Sequence, residues 1–122
     1  MAIASARTLR MPPRKARLVA DLIRGKSVVD ARNILAVNEK GSAPLIKKVL
    51  ESAVANAENE AAQERRRIDT DDWKVQYIVV NEGITIKRFT NAARGRAVRI
   101  RKRTCHVELK IADAETVKAA RK

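Results

Sequence analysis

The apolar positions of the chain recur with two periods, one typical of helices and one typical of strands. The clearest helical pattern is a continuous stripe with intervals of one and three residues. Its members are Leu45, Ile46, Val49, Leu50, Ala53, Val54 and Ala57. The stripe predicts a long helix that Ser42 caps, that carries Pro44 in its first turn and that ends near Ala62.

Two shorter helices are predicted before the long one. The first runs from about Pro13 to Arg24, and Gly25 ends it. Its inward positions are expected to be Ala16, Val19, Leu22 and Ile23. The second begins after an N-capping Ser27 with Asp30 three residues on, and it continues to about Val37.

Alternating apolar and polar residues predict three strands. Ala2–Leu9 alternates weakly and is predicted to be an edge strand, whereas residues 73–80 and 104–111 alternate clearly. We expect the last two to pair antiparallel with Tyr77 opposite Leu109, which places Trp73 and Tyr77 on one face. The same hairpin then continues to a turn near residues 92–95, and its arms project roughly 30 Å.

These elements predict an α+β fold. A chain of 122 residues suits a single domain, 1–122, with one core. We expect a small body of three helices and an antiparallel sheet, from which a long basic β-hairpin protrudes over residues 83–104. Residues 112–122 are expected to form either a helical turn or a flexible tail.

Positive charge is concentrated in two segments of a chain whose net charge is +13. Residues 1–26, here the N-terminal basic segment, hold seven bases and one acid, and residues 83–104, here the basic arm, hold eight bases and no acid. Such charge is typical of nucleic-acid-binding proteins. The candidate phosphate-binding residues are Arg7, Arg10, Arg14, Lys15, Arg17, Arg24, Lys26, Lys87, Arg88, Arg94, Arg96, Arg99, Arg101, Lys102 and Arg103.

The basic arm has too few apolar residues to form a core of its own, since Phe89, Val98 and Ile100 are its main bulky ones. An isolated two-stranded ribbon is marginal in water. The arm is therefore either a ribbon threaded into a polyanion or a loop that orders on binding, and we expect its tip to be disordered in the free protein.

Catalytic residues are scarce. His106 is the only histidine, and its neighbour Cys105 is expected to face the other side of the strand, so the two cannot form a nucleophile–base pair. We expect a buried thiol, an RNA-facing imidazole, and neither enzymatic activity nor a metal or cofactor. Asp69, Asp71 and Asp72 lack the glycine and glutamate of a calcium loop.

The single cysteine and the absence of a long apolar run indicate a cytoplasmic protein that does not bind membranes. With 2% aromatic residues, binding is expected to rely on phosphate contacts and shape rather than on base stacking. The alternative is a basic architectural DNA-binding protein whose arm enters a groove. Such proteins dimerise, whereas this chain shows no second apolar helix face, and we expect no homo-oligomer.

Several motifs occur in a familiar order. They are PRKARLV at 13–19, DLIRGK at 21–26, KVLESA at 48–53, ANA at 55–57, EG at 82–83, KR at 87–88, RGRA at 94–97 and KRT at 102–104. From about Ala4 to Ile111 the chain resembles the family of the twenty-second protein of the bacterial large ribosomal subunit. It departs from the family's usual pattern at Ile84, at Cys105 and at Asn91-Ala92, where Pro-Arg is usual.

The resemblance implies a structural constituent of the large subunit, with a body near the outer end of the nascent-peptide exit tunnel. The hairpin would run through large-subunit rRNA and help to form the tunnel constriction with a neighbouring ribosomal protein. The rRNA contacts it implies are Arg14, Lys15, Arg17, Lys87, Arg88, Arg96, Arg99, Lys102, Arg103 and His106. Asn91, Ala92, Ala93 and Arg94 would form the tip, beside the nascent peptide.

Overall fold

A three-stranded antiparallel sheet forms one layer of the body in the computed structural model, which describes residues 1–120. Its strands are β1 (Ala2–Leu9), β2 (Lys74–Glu82) and β5 (Cys105–Ala112), in the order β1-β5-β2. The helices are α1 (Pro13–Ile23), α2 (Val28–Val37), α3 (Ser42–Gln63) and α4 (Ala114–Ala120). A separate ribbon pairs β3 (Ile86–Asn91) with β4 (Ala97–Lys102). The predicted α+β class is confirmed.

Helix α4 is an addition to the three predicted helices. It occupies most of the segment for which a helical turn and a flexible tail were both left open. Residues 121 and 122, which belong to that expected tail, lie outside the described part of the chain.

The core lies between one face of the sheet and the helices. On β5 the side chains alternate strictly, so that Cys105, Val107, Leu109 and Ile111 are buried while the residues between them are half-buried on the other face. Helices α1 and α3 pack against the sheet, and α2 packs against α3. Because the chain has few aromatic residues, Ala, Val, Leu and Ile fill this layer.

The apolar stripe of α3 is confirmed at most positions, but Ser42 is not its cap. The N-cap is Gly41, and Ser42 is buried as the first helical residue. The helical backbone begins one residue early, because the Ala43 N–H donates to the Lys40 carbonyl. The Ser27 cap of α2 is confirmed, since its hydroxyl accepts from the Asp30 N–H at 3.1 Å.

On α1 the inward assignment of Leu22 is wrong. Leu22 is 46% exposed, whereas Ala20 is fully buried together with Ala16, Val19 and Ile23. Residue 22 lies about 100° around the helix from residue 23, at the edge of a narrow apolar stripe. The alanines on that stripe let α1 approach the sheet closely.

The predicted register of β2 and β5 is wrong by one residue over most of its length. Val75 lies opposite Ile111, but an irregularity at Gln76 then places Tyr77 opposite Lys110. The extra residue is a β-bulge, which shifts every later side chain to the other face. Tyr77 and Trp73 therefore do not share a face.

The bulge separates the environments of the two aromatic residues, because Trp73 precedes it and Tyr77 follows it. Trp73 lies before β2 and packs against the core. The Tyr77 hydroxyl is on the outer face of the sheet and donates to the Glu108 carboxylate. This hydrogen bond, aided by burial and the carboxylate charge, raises the pKa of Tyr77 above its ordinary value.

Core and arm substitutions are expected to differ in the free protein. Leu50 is fully buried on α3, so Leu50→Ala should lower the free energy of unfolding by about 2–5 kcal/mol. Arg96 is exposed in the arm, and Arg96→Ala should change it by less than about 0.5 kcal/mol. Urea denaturation followed by circular dichroism measures both. Equal losses would contradict the separation of body and arm.

Candidate nucleic-acid interface

The basic arm is a six-rung antiparallel ribbon that runs from Ile86 opposite Lys102 to Asn91 opposite Ala97. Apart from the half-buried Ile86 and Ile100, every residue of β3 and β4 is exposed. The arm therefore has no core, as its composition predicted. Backbone hydrogen bonds alone hold its outer rungs together.

Both faces of the ribbon carry bases and neither carries an acid. Residues opposite each other in an antiparallel ladder share a face, and successive residues alternate between faces. One face presents Ile86, Arg88, Thr90, Val98, Ile100 and Lys102. The other presents Lys87, Phe89, Asn91, Ala97, Arg99 and Arg101. A partner with negative charge can thus contact the arm from either side.

The tip is a short turn centred on Ala93–Gly95, as predicted for this region. The Ala92 N–H donates to the Arg96 carbonyl at 2.7 Å, which closes the turn. Arg94 has φ 62° and Gly95 has φ 71°, both in the left-handed region. A non-glycine residue there is uncommon. Of the four predicted tip residues, Asn91 lies in the last rung of the ladder, and the other three lie beyond it.

The arm joins the body at a neck, which we define as Gly83, Ile84, Thr104 and His106. The Gly83 N–H donates to the Thr104 carbonyl at 2.9 Å, and the buried Thr104 hydroxyl donates to the Ile84 carbonyl at 2.6 Å. A Cβ atom at position 83 would lie 2.5 Å from Thr104 Oγ1 and 3.2 Å from the His106 ring. Only glycine leaves room for this approach.

His106 is less exposed than was predicted for an RNA-facing imidazole. It is half-buried, and its Nδ1 accepts from the Thr8 N–H at 2.9 Å. Thr8 adopts φ 55° where the register of β1 shifts. Because Nδ1 is the acceptor, the neutral ring carries its proton on Nε2, which is the nitrogen left for a partner.

Two bases of the N-terminal basic segment bind the backbone of the body. The Arg17 guanidinium donates to the Val80 carbonyl at 3.2 and 3.1 Å, and Arg24 donates to the Ile78 carbonyl at 2.9 Å and pairs with Asp21. Strand β2 is an edge of the sheet, so these carbonyls point away from β5. The remaining predicted bases of this segment are exposed, namely Arg7, Arg10, Arg14, Lys15 and Lys26.

Cys105 and His106 face opposite sides of β5, as predicted. The Cys105 side chain is fully buried, and burial raises the pKa of its thiol while the positive charge of Arg17 opposes that shift. A buried neutral thiol is a poor nucleophile.

Two residues of the acidic cluster, Asp69 and Asp71, have partners within the protein. Asp69 accepts the Asp71 N–H in a turn, and Asp71 lies 3.8 Å from Arg32. Within residues 1–120, no group of three or more His, Cys, Asp or Glu side chains is arranged to hold a metal ion. No helix in that part of the chain has the length and apolarity to cross a membrane.

One family model matches the chain. It is described as ribosomal protein L22p/L17e, and it covers residues 4–112 of the 122. The match spans the motifs that carry the resemblance. It includes the neck, the whole basic arm and the body sheet apart from Ala2 and Ile3. It confirms the resemblance.

The neck generates a prediction about Gly83→Ala. The new methyl group displaces Thr104 Oγ1 from its bond to Ile84, and we expect a loss of about 1–3 kcal/mol in stability. Gly41→Ala is the matched control, because Gly41 has helical dihedral angles and nothing lies within 4 Å of an added Cβ.

A double-variant cycle identifies the cause of that loss. Thr104→Ala removes the clashing oxygen, so the double variant should lose less stability than the sum of the two single variants. Denaturant unfolding measures all four proteins. Equal stability of Gly83→Ala and Gly41→Ala would contradict the close approach at the neck.

Proposed function

The chain belongs to the ribosomal protein L22p/L17e family, and on this basis we propose that it binds and organises large-subunit rRNA through its two basic segments. The family consists of structural proteins of the large subunit of the cytoplasmic ribosome. The chain is accordingly a component of a ribonucleoprotein that acts in translation. Family membership does not support the architectural DNA-binding alternative.

The observation that carries the rRNA proposal is the exposed, acid-free ribbon. Lys87 lies directly opposite Arg101 in the ladder, and like charges in opposing positions destabilise a β-ribbon. A phosphate backbone beside such a rung replaces repulsion with attraction and releases counterions. The arm is thus a structure that a polyanion stabilises.

The exposed bases of the N-terminal basic segment supply a second contact surface. Arg14 and Lys15 lie in the first turn of α1 and are exposed, whereas Arg17 in the next turn binds the free edge of β2. Since Arg17 and Arg24 bind that edge, we assign them the role of positioning α1. We assign the phosphate contacts of this segment to its other bases. Other large-subunit proteins would contact the remaining surface of the body.

We extend the proposal to the exit tunnel. The arm ends in small residues and one exposed base, Arg94. A protruding segment of this length is uncommon in a compact domain unless its end has a functional role. In the proposal the arm passes through rRNA, and Ala92–Arg94 reach the tunnel wall beside the nascent peptide. Asn91 contributes to the last rung that supports the turn.

Binding to large-subunit rRNA is expected to be strongly salt-dependent. If about eight charges engage phosphates, log affinity should fall with log salt with a slope of about −5 to −7. Replacing Lys87, Arg99 and Arg101 with Gln should make the slope less negative by about 2–3. Filter binding across a range of salt concentrations measures both slopes. A wild-type slope near −1 would contradict the assignment of the basic segments as the interface.

Shortening the arm should change the tunnel without preventing assembly. Removing 87–90 together with 98–101 deletes four complete rungs and shortens the arm by about 13 Å. Because the number of rungs is even, each remaining residue stays on the face of the ribbon that it occupies now. The core and the N-terminal bases remain, so we expect incorporation into large subunits. Chemical probing of tunnel-lining rRNA, and sensitivity to inhibitors that lodge in the tunnel, should both change.

The deletion also removes four bases, Lys87, Arg88, Arg99 and Arg101. A full-length variant with Gln at these four positions therefore controls for the loss of charge. Tunnel probing that is unchanged in the shortened protein, or equally changed in the full-length control, would contradict a tip that reaches the tunnel.

A further inference from the structure

A cleft of about 600 Å³ lies where the N-terminal basic segment meets the base of the arm. Arg10 and Pro12, from the connection between β1 and α1, line one side, and the first rungs of the ribbon line the other. Body and arm thus build the cleft together.

The floor of the cleft is apolar and has a defined geometry. Ile86 lies opposite Lys102, and Ile100 lies opposite Arg88, so both isoleucines are on the same face of the ribbon. They are also the half-buried residues of β3 and β4, and Pro12 opposite them is half-buried. The floor therefore presents aliphatic surface to whatever enters.

The rim of the cleft is cationic. Five Arg and Lys residues line it and no acid does. Arg88 and Lys102 lie on the same face of the ribbon as the two isoleucines, and Arg10 faces them from the body side, whereas Arg101 belongs to the other face. Thr104 is its uncharged polar residue, but the Thr104 hydroxyl already donates to the Ile84 carbonyl. A ligand that is complementary to this cleft has a flat apolar face and a negative charge, and it requires few hydrogen bonds from the floor.

We propose that this cleft holds one unpaired nucleotide of large-subunit rRNA, with its base against Ile86 and Ile100. The flanking phosphates then lie against Arg10, Arg88 and Lys102. The inference rests on the proposed function and adds a contact with a base to phosphate contacts along the arm. RNA is the source, because the three cations Arg10, Arg88 and Lys102 exceed what one free nucleotide can neutralise, whereas a strand supplies consecutive phosphates.

Such a cleft recognises shape rather than sequence. An aliphatic floor contacts the face of any base, and guanidinium planes at the rim can stack on it as well. A nucleotide in a duplex cannot enter, because its faces are covered by its neighbours. A base held between Pro12 and the ribbon would also fix the direction of the arm relative to the body.

The test compares two serine substitutions on the same face of β4. Ile100→Ser removes the floor of the cleft, whereas Val98→Ser changes an exposed β-branched residue two positions farther out. Neither residue belongs to the core, so both variants should fold, which thermal melting checks. The probe is transcribed large-subunit rRNA, examined by nucleotide-resolved 2′-hydroxyl acylation and by binding titration.

We expect the wild type and Val98→Ser to protect the same unpaired nucleotide. Ile100→Ser should restore its reactivity and weaken binding by about three- to tenfold. Adenosine monophosphate at millimolar concentration should not displace the RNA.

The inference would be overturned by binding without such a protected nucleotide, by equal effects of the two serine substitutions, or by displacement of the RNA with adenosine monophosphate at millimolar concentration. Absence of any rRNA binding by the wild type would instead overturn the proposed function and the cleft with it.

Discussion

Repulsion among the bases of the arm is the constraint that decides how the arm can be stabilised. Eight bases and no acid occupy residues 83–104, and two of the bases face each other in one rung. No packed face offsets this repulsion, since nearly every side chain of the ribbon is exposed. Within the protein, only the neck and the backbone ladder oppose it. The stabilising interaction has to come from outside, and in the proposed function rRNA phosphates provide it.

The body is stabilised differently, because it has a packed core of its own. Its core fills the space between one face of the sheet and the helices, and Arg17 and Arg24 bind the free edge of β2. Bases that bind the protein's own backbone are thereby distinguished from bases that face outward. The neck links the two parts through Gly83 and Thr104, which approach too closely for any larger residue at position 83. This contact joins the arm to the body sheet.

Much of the fold follows from local patterns in the sequence. The stripe of α3, the alternation of β5 and the Ser27 cap depend on neighbouring residues, and each was predicted close to its observed position. The errors arise where tertiary contacts decide. No pattern in the sequence marks the bulge at Gln76. The buried face of α1 is set by the way the helix lies on the sheet, and this position leaves Leu22 exposed.

The candidate interface was predictable as charge but not as geometry. The sequence shows which residues are basic. It does not show that Arg17 binds the Val80 carbonyl, which lies 63 positions away. Thr8 was also missed, because its contact with His106 joins segments 98 residues apart. The cleft at the base of the arm likewise combines Pro12 with two isoleucines from the far end of the chain. An isolated glycine before a basic segment was the only local signal of the neck.

Hydrogen exchange of the free protein and of the protein within large ribosomal subunits tests the central claim most directly. Core amides of α3 and β5 are expected to exchange slowly in both states. Amides of residues 86–91 and 97–102 should exchange rapidly in the free protein and slowly in the subunit, because RNA supplies the support that the ribbon lacks. The claim that the ribbon depends on RNA would be contradicted by either of two results. One is that arm amides in the free protein are as protected as those of the core, and the other is that they are unprotected within the subunit.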